Sequence, residues 1–179
     1  MKLQEWDARY RSGGVAFDAP TPLIVEIAAA LMPGRAIDIA CGARRNAIYL
    51  AQHGWRVTAV DGSAAALETL RQRAQAVNID VVLADLQRES FPMPAESYDL
   101  VAASYYLQRD LFPAMLRGVK KGGVFVAIVH LGEQATPRKV VAGELRSRFI
   151  DWEIMHDYEG EPREDCHRQP VAEIAARKL

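Results

Sequence analysis

Short runs of aliphatic and β-branched residues alternate along this chain with longer stretches in which apolar positions recur every three or four residues. The runs at 36–39, 55–60, 79–83, 98–103 and 124–129 predict strands buried on both faces. Between them, Leu23, Ile24, Ile27 and Leu31 predict a helix over 23–32, opened by Pro20-Thr21-Pro22 and stopped by Pro33-Gly34. A helix over 45–53 closes on Gly54, and one with Leu67, Leu70, Ala74 and Val77 on its buried face starts at the N-cap Ser63 and ends at Asn78. Leu111, Phe112, Met115 and Leu116 predict a helix over 109–117, with Pro113 tolerated in its first turn. Toward the C-terminus, Trp152, Ile154, His156 and Tyr158 alternate with polar or smaller residues, a strand whose antiparallel partner is 171–177. The pattern predicts an α/β domain with a mostly parallel sheet, helices on both faces and an antiparallel C-terminal hairpin.

The chain has 179 residues, enough for one domain with a substantial core, and a formal net charge of -1. That balance speaks against nucleic acid as a partner, because phosphate polymers are met by basic surfaces. No apolar run long enough for a membrane span and no secretory leader is visible, so the expectation is a cytoplasmic protein away from membranes. Its only cysteines, Cys41 and Cys166, make no disulfide framework. The oligomeric state is not legible. The expected organisation is one domain: an N-terminal helical arm and cap (1–34), a ligand-binding core (35–131), and a C-terminal helix with the hairpin (132–179).

The chemistry concentrates at strand ends. Ala40-Cys41-Gly42-Ala43 is a turn of small residues between the first strand and a helix start, where a ligand can touch the backbone and meet unpaired N–H groups. An ordinary strand-turn-helix connection would read the same way. Asp38 closes the first strand, Asp61 the second, Asp85 follows the third, and Ser104-Tyr105-Tyr106 follow the fourth. One such Asp alone is a turn residue or cap. Three on the carboxyl edge of a parallel sheet fall where ligands bind, and Asp61 lies about twenty residues past the turn, where nucleotide sites place a ribose acceptor. Trp6, Asp7, Arg9 and Tyr10 form an arm that either packs on the surface or acts as a lid. Asp165-Cys166-His167 matches no zinc spacing and reads as a polar hairpin tip, so no metal is expected.

These residues resemble those of the class I S-adenosylmethionine-dependent methyltransferases. The resemblance is carried by Ile37-Asp38-Ile39-Ala40-Cys41-Gly42 with Arg45-Asn46-Ala47, Val60-Asp61, Ala84-Asp85-Leu86, Ser97-Tyr98-Asp99-Leu100-Val101 and Lys121-Gly122-Gly123. Within that family the chain is most similar to small tellurite-resistance-type methyltransferases, through its Trp-Asp-x-x-Tyr arm and Gly143-Glu144-Leu145. The resemblance implies a Rossmann-like, doubly wound sheet of seven strands and S-adenosylmethionine as cofactor. It implies that Asp38 orders the turn and meets the methionyl amino group, and that Ala40 and Gly42 line the methionine and ribose. Asp61, with Gly62, would hold the ribose hydroxyls, Asp85 and Leu86 would face the adenine, Ser104 would lie by the reactive end, and Tyr10 would close over the cofactor.

The family turn, Gly-x-Gly-x-Gly, is here Ala40, Gly42 and Arg44. Ala40 is tolerable where φ is negative, and Arg44 either projects outward or crowds the pocket. The expected activity is methyl transfer to a small-molecule acceptor, an in-line displacement that needs alignment more than acid-base chemistry. Acceptor-side candidates are Tyr105, Tyr106, Arg109 and His130. His130 is either a general base or a strand-end histidine satisfied by backbone. The alternatives are a binding module that kept the fold and lost catalysis through its altered turn, and a nicotinamide-dependent oxidoreductase. The second lacks its Gly-x-Gly-x-x-Gly and the chain for a substrate domain.

Overall fold

The computed structural model describes residues 3–13, 19–43, 45–88 and 91–179. An arm helix α1 (Leu3–Arg11) precedes α2 (Pro22–Ala29), and the chain then enters the alternating region. That region comprises β1 (Arg35–Ile39), α3 (Arg45–Gln52), β2 (Arg56–Asp61), α4 (Ala64–Arg73), β3 (Ile79–Leu83) and β4 (Tyr98–Ser104). A 3-10 turn (Arg109–Leu111), α5 (Phe112–Gly118) and β5 (Val119–Leu131) follow. The chain closes with β6 (Lys139–Val140), a second 3-10 turn (Arg146–Arg148), β7 (Trp152–Gly160) and β8 (Val171–Lys178).

The strands form one sheet in the order β3-β2-β1-β4-β5-β8-β7, with β6 pairing β5 off that path. The sheet thus has eight strands rather than the expected seven, because two residues of the 132–151 stretch pair in parallel with His130 and Leu131. β1 to β5 are parallel, and β8 and β7 add on antiparallel. The expected C-terminal helix is replaced by this short strand and the 3-10 turn at Arg146–Arg148. The side chains there that pack inward, Val140, Leu145 and Phe149, are held by the second apolar layer, and no long amphipathic helix is needed to bury them.

Alternation along the central strands feeds two apolar layers. Leu100, Ala102, Val124, Val126 and Ile128 face one side, where Leu23, Ile24, Ile27, Leu50, Leu67 and Leu70 of α2, α3 and α4 cover them. Ile37, Ile39, Val101, Phe125 and Val129 face the other, under Phe112 and Met115 of α5 and Phe149. Each such fully buried side chain contributes on the order of 1.5–3 kcal/mol relative to exposure. The period-two reading of β7 breaks at Met155, where a bulge lets Ile154 and His156 oppose successive residues of β8. Met155 consequently packs with the first layer while Trp152 and Ile154 join the second.

Helix α4 is shorter than its apolar periodicity, ending at Arg73 with Ala74 as C-cap. β5 is longer at its start, because Val119 pairs with Tyr98 and a register shift carries Lys121-Gly122-Gly123 as a bulge before Val124 meets Leu100. Strand order reverses between β1 and β4, so the carboxyl ends of these two strands flank the crevice where α/β sheets bind ligands.

Candidate active site

The turn after β1 is built for close approach. Cys41 N–H donates to Val60 O at 3.0 Å, tying the turn to β2. Gly42 sits at φ 61°, and a β-carbon there would lie 2.6 Å from the Tyr10 hydroxyl oxygen, so the arm rests directly on the turn. Ala40 sits at φ 53°, in the left-handed region. The condition under which alanine is readily tolerated there, a negative φ, is not met: the turn takes the conformation glycine favours and Ala40 adopts it at a cost. Arg44 lies outside the described residues.

Asp61 ends β2, 9% exposed, and its carboxylate bridges two backbones: Gly42 N–H donates to Oδ2 and Ser63 N–H to Oδ1, each at 2.8 Å. Burial raises its pKa and these amides oppose the rise. Two N–H bonds leave lone pairs on both oxygens for further donors. Asp38 is 1% exposed, and its Oδ2 has no hydrogen-bond partner among the described residues. Burial pushes its pKa up to about 7, with Arg45 opposing. An orphaned buried carboxylate oxygen fits a ligand that brings an ammonium group, which would supply the missing donor and countercharge.

The arm is latched rather than draped. Asp7 Oδ1 accepts from Ser63 Oγ at 2.7 Å and from Ala65 N–H at 3.0 Å, while Ser63 Oγ accepts from Ala66 N–H at 3.1 Å. The first turn of α4 is thus capped by its own serine and by a carboxylate from α1. Those bonds hold the Asp7 carboxyl below its usual range. Between α1 and the ends of β2 and β3 lies a cavity of about 700 Å³ lined by Leu3, Asp7, Gly62, Leu83, Ala84 and Asp85, among others. Asp85 Oδ1 accepts from Gln87 N–H at 3.1 Å, and Leu86 is buried beside it in the second apolar layer.

At the ends of β4 and β5 a ring cluster assembles. Tyr105 stands at φ 58° with its N–H on Ile128 O at 2.6 Å, its ring 5.4 Å from that of His130 and 3.5 Å from that of His167. Burial lowers the His130 pKa, with Lys139 adding to the effect, and its Nδ1 has no partner among the described residues. Burial likewise lowers His167, to about 4, against the pull of Glu164. Both imidazoles are neutral at pH 7. Ser104 Oγ accepts from Asn46 Nδ2 at 3.2 Å, and Asn46 Oδ1 accepts from Thr21 N–H at 2.9 Å, so one buried amide joins the entry to α2, α3 and the end of β4.

The remaining two candidates are occupied elsewhere. Tyr106 donates its hydroxyl to Gln108 Oε1 and packs with the second apolar layer. Arg109 forks onto Glu144 through Nε at 2.7 Å and Nη2 at 2.9 Å, and also donates to the carbonyls of Thr136 and Lys139. Its guanidinium clamps the 132–144 segment. The sequence did not mark Asn46 as an organiser or Glu164 as a site residue, and His167, read there as part of a polar hairpin tip, arrives with Glu164 from the distant 161–170 segment. The stack of His167 on Tyr105, its ring contact with His130 and the ion pair of Arg45 with Glu164 reveal that this segment folds over the site.

Residues 36–123 match a family model described as a methyltransferase domain. The chain is similar to the probable S-adenosyl-L-methionine-dependent methyltransferase TehB of Haemophilus influenzae, 23% identical over 147 residues that make up 74% of this chain and 50% of that protein. It spans about half the length of the curated relatives it matches. The crystal structure of TehB from Haemophilus influenzae superposes with a TM-score of 0.72 at 22% identity, over 87% of this chain and 61% of that one. The structure solved for the conversion of a disulfide bond into a thioacetal group during echinomycin biosynthesis gives a TM-score of 0.73 at 21% identity, over 98% and 92% of the two chains. Among the described residues no helix is long and apolar enough to cross a membrane.

Proposed function

We infer that this chain belongs to the class I S-adenosylmethionine-dependent methyltransferases and transfers a methyl group to a small-molecule acceptor held beside Tyr105 and His130. The observation that carries the reading is Asp38 Oδ2, a buried carboxylate oxygen without a partner among the described residues, at the foot of the turn. It fits the methionyl ammonium group, as the spare lone pairs of Asp61 fit ribose hydroxyls. Asp85 and Leu86, at the cavity under α1, suit the adenine, and Tyr10 with Gly62 and the latched arm would exclude water above it.

The cofactor, when bound, supplies an electrophilic methyl on a sulfonium sulfur. The chain's part is alignment. Ser104 is held by Asn46 at the crevice, and the Tyr105 ring walls the acceptor end. His130, whose burial favours the neutral ring and whose Nδ1 has no partner among the described residues, can take a proton from an acceptor that is not already anionic. Arg109 and Tyr106 would support the walls through Glu144 and Gln108.

The direct test is calorimetric titration with S-adenosylhomocysteine, followed by incubation with S-adenosylmethionine and a panel of small thiols, amines and phenols, reading release of S-adenosylhomocysteine. Binding together with acceptor-dependent release is the expected result. Binding without release for any class would point to the binding-module alternative, and no binding at all would overturn the reading.

A further inference from the structure

The segment joining β7 to β8 carries a donor set that the methyl-transfer reading does not use. Glu164, Cys166 and His167 each place one donor atom within 4.8 Å of the other two. From Glu164 Oε2, Cys166 Sγ is 3.7 Å away and His167 Nε2 is 3.8 Å away. A tetrahedral zinc-class ion, with oxygen and nitrogen ligands near 2.0–2.1 Å and sulfur near 2.3 Å, sets such ligand atoms roughly 3.4–3.6 Å apart. The Glu164 carboxylate thus already stands at about the ligand-to-ligand spacing from both the thiol and the imidazole.

A second observation is independent of that spacing. The Glu164 side chain is 9% exposed, and its Oε1 has no hydrogen-bond partner among the described residues. A buried carboxylate oxygen in that state is costly until a cation or donor reaches it. Arg45 pairs with Oε2, the kind of outer contact that orients a ligating carboxylate. The stack on Tyr105 fixes the plane of the His167 imidazole in the same way, and His167 N–H donates to Glu164 O at 3.0 Å, closing the turn that gathers the three.

The donor types choose the ion. One sulfur, one imidazole nitrogen and one carboxylate oxygen suit zinc, whereas magnesium and calcium take oxygen throughout. We propose that Glu164, Cys166 and His167 bind one zinc-class divalent ion at the edge of the acceptor end, with a fourth coordination position left open. Three protein ligands and an open position is the arrangement of zinc sites that handle a further ligand. The expectation of a plain polar hairpin tip rested on Asp165-Cys166-His167, a triplet with no second half. Glu164, buried one residue earlier by its pairing with Arg45, supplies what the triplet lacks. As the sulfur-metal bond forms, the Cys166 thiol gives its proton to solvent, one proton per ion bound. The site stands on the donor geometry and the unpartnered Glu164 oxygen and does not rest on methyl transfer.

The test is titration of the reduced full chain with Zn²⁺ in competition with a chromophoric chelator, and with Co²⁺ read by absorption. One saturable equivalent is expected, with a thiolate-to-Co²⁺ charge-transfer band. Cys166→Ser, at an exposed position, should abolish the band, and both it and His167→Ala should weaken Zn²⁺ binding on the order of tenfold or more. Absence of saturable uptake, uptake undiminished in both variants, or a Co²⁺ complex without the sulfur band would each overturn the proposal. Unfolding midpoints without metal separate ligand loss from loss of fold: that of Cys166→Ser is expected to stay close to the parent chain, while that of His167→Ala is expected to fall modestly through loss of the stack on Tyr105.

Discussion

The ring of Tyr105 lies flat on that of His167, centroids 3.5 Å apart and planes 7° from parallel. One residue directly follows β4 and the other sits 62 positions on in the segment before β8. The contact fastens that segment over the acceptor end, and it holds Tyr105 in a left-handed backbone conformation that costs free energy without outside support. Such stacks contribute about 0.5–1.5 kcal/mol beyond the area they bury. Tyr105→Ala is therefore expected to speed amide hydrogen exchange across 164–168 while leaving exchange in β1 and β4 unchanged. Equal protection of 164–168 in variant and parent would show that the segment is held without the stack.

Asp61→Ala should weaken S-adenosylhomocysteine binding by about tenfold or more, because hydrogen bonds to a charged group contribute on the order of 1.5–3 kcal/mol. The variant also loses the acceptor for Gly42 and Ser63 N–H, so a lowered unfolding midpoint is expected alongside. Asp61→Asn keeps one acceptor oxygen and should fall between. Calorimetry on all three proteins checks the order, and unchanged affinity in Asp61→Ala would sink the ribose assignment.

Asp85 makes a different prediction. It lies at the rim of the cavity under α1, accepting from Gln87 N–H. As an acceptor for the adenine amino group it should enforce discrimination between S-adenosylhomocysteine and its inosine analogue, and Asp85→Ala should reduce that ratio. A ratio that does not move would leave Asp85 as a turn residue only.

Ala40→Gly should stabilise the chain. The left-handed conformation costs a residue with a β-carbon about 1–2 kcal/mol, and glycine gives back about 0.5–1 kcal/mol through the greater freedom of its unfolded chain. The net expectation is a gain of a few tenths to about 1 kcal/mol, read as a higher urea midpoint at unchanged slope. A lower midpoint would contradict the turn geometry described above.

Acid should dismantle the clamp around Arg109. The Arg109 fork, then Arg148 and Val141 N–H, hold the Glu144 carboxyl down to about 2, from an ordinary 4.5. A depressed acid contributes stability that is fully present above its unfolded pKa and is lost as pH falls through the folded one. The clamp's contribution should thus be complete above about pH 5 and fade between about 4.5 and 2. Glu144→Gln should flatten that part of the stability curve while leaving the neutral side parallel to the parent. An identical acid limb in the two proteins would remove Glu144 from the account.

The sequence by itself determined the alternation of strands and helices, the parallel core and the closing hairpin, because each rests on a local period that burial of apolar side chains enforces. It also placed Asp38, Asp61, Asp85 and Ser104 on one edge of the sheet, since in parallel strands every carboxyl end points the same way. Tertiary structure alone decided what those ends meet. Whether Arg109 faces an acceptor or Glu144, 35 residues away, depends on how the 132–151 stretch packs, and that stretch carries no clear period. That Ala40 takes a positive φ follows from the turn being tied to β2 through Cys41, and not from any property of alanine. The union of Arg45 with Glu164 across 119 positions, and of Tyr105 with His167, is set by where β7 turns back onto β8. Such pairs are chosen by sheet order and loop closure, which no local spacing encodes.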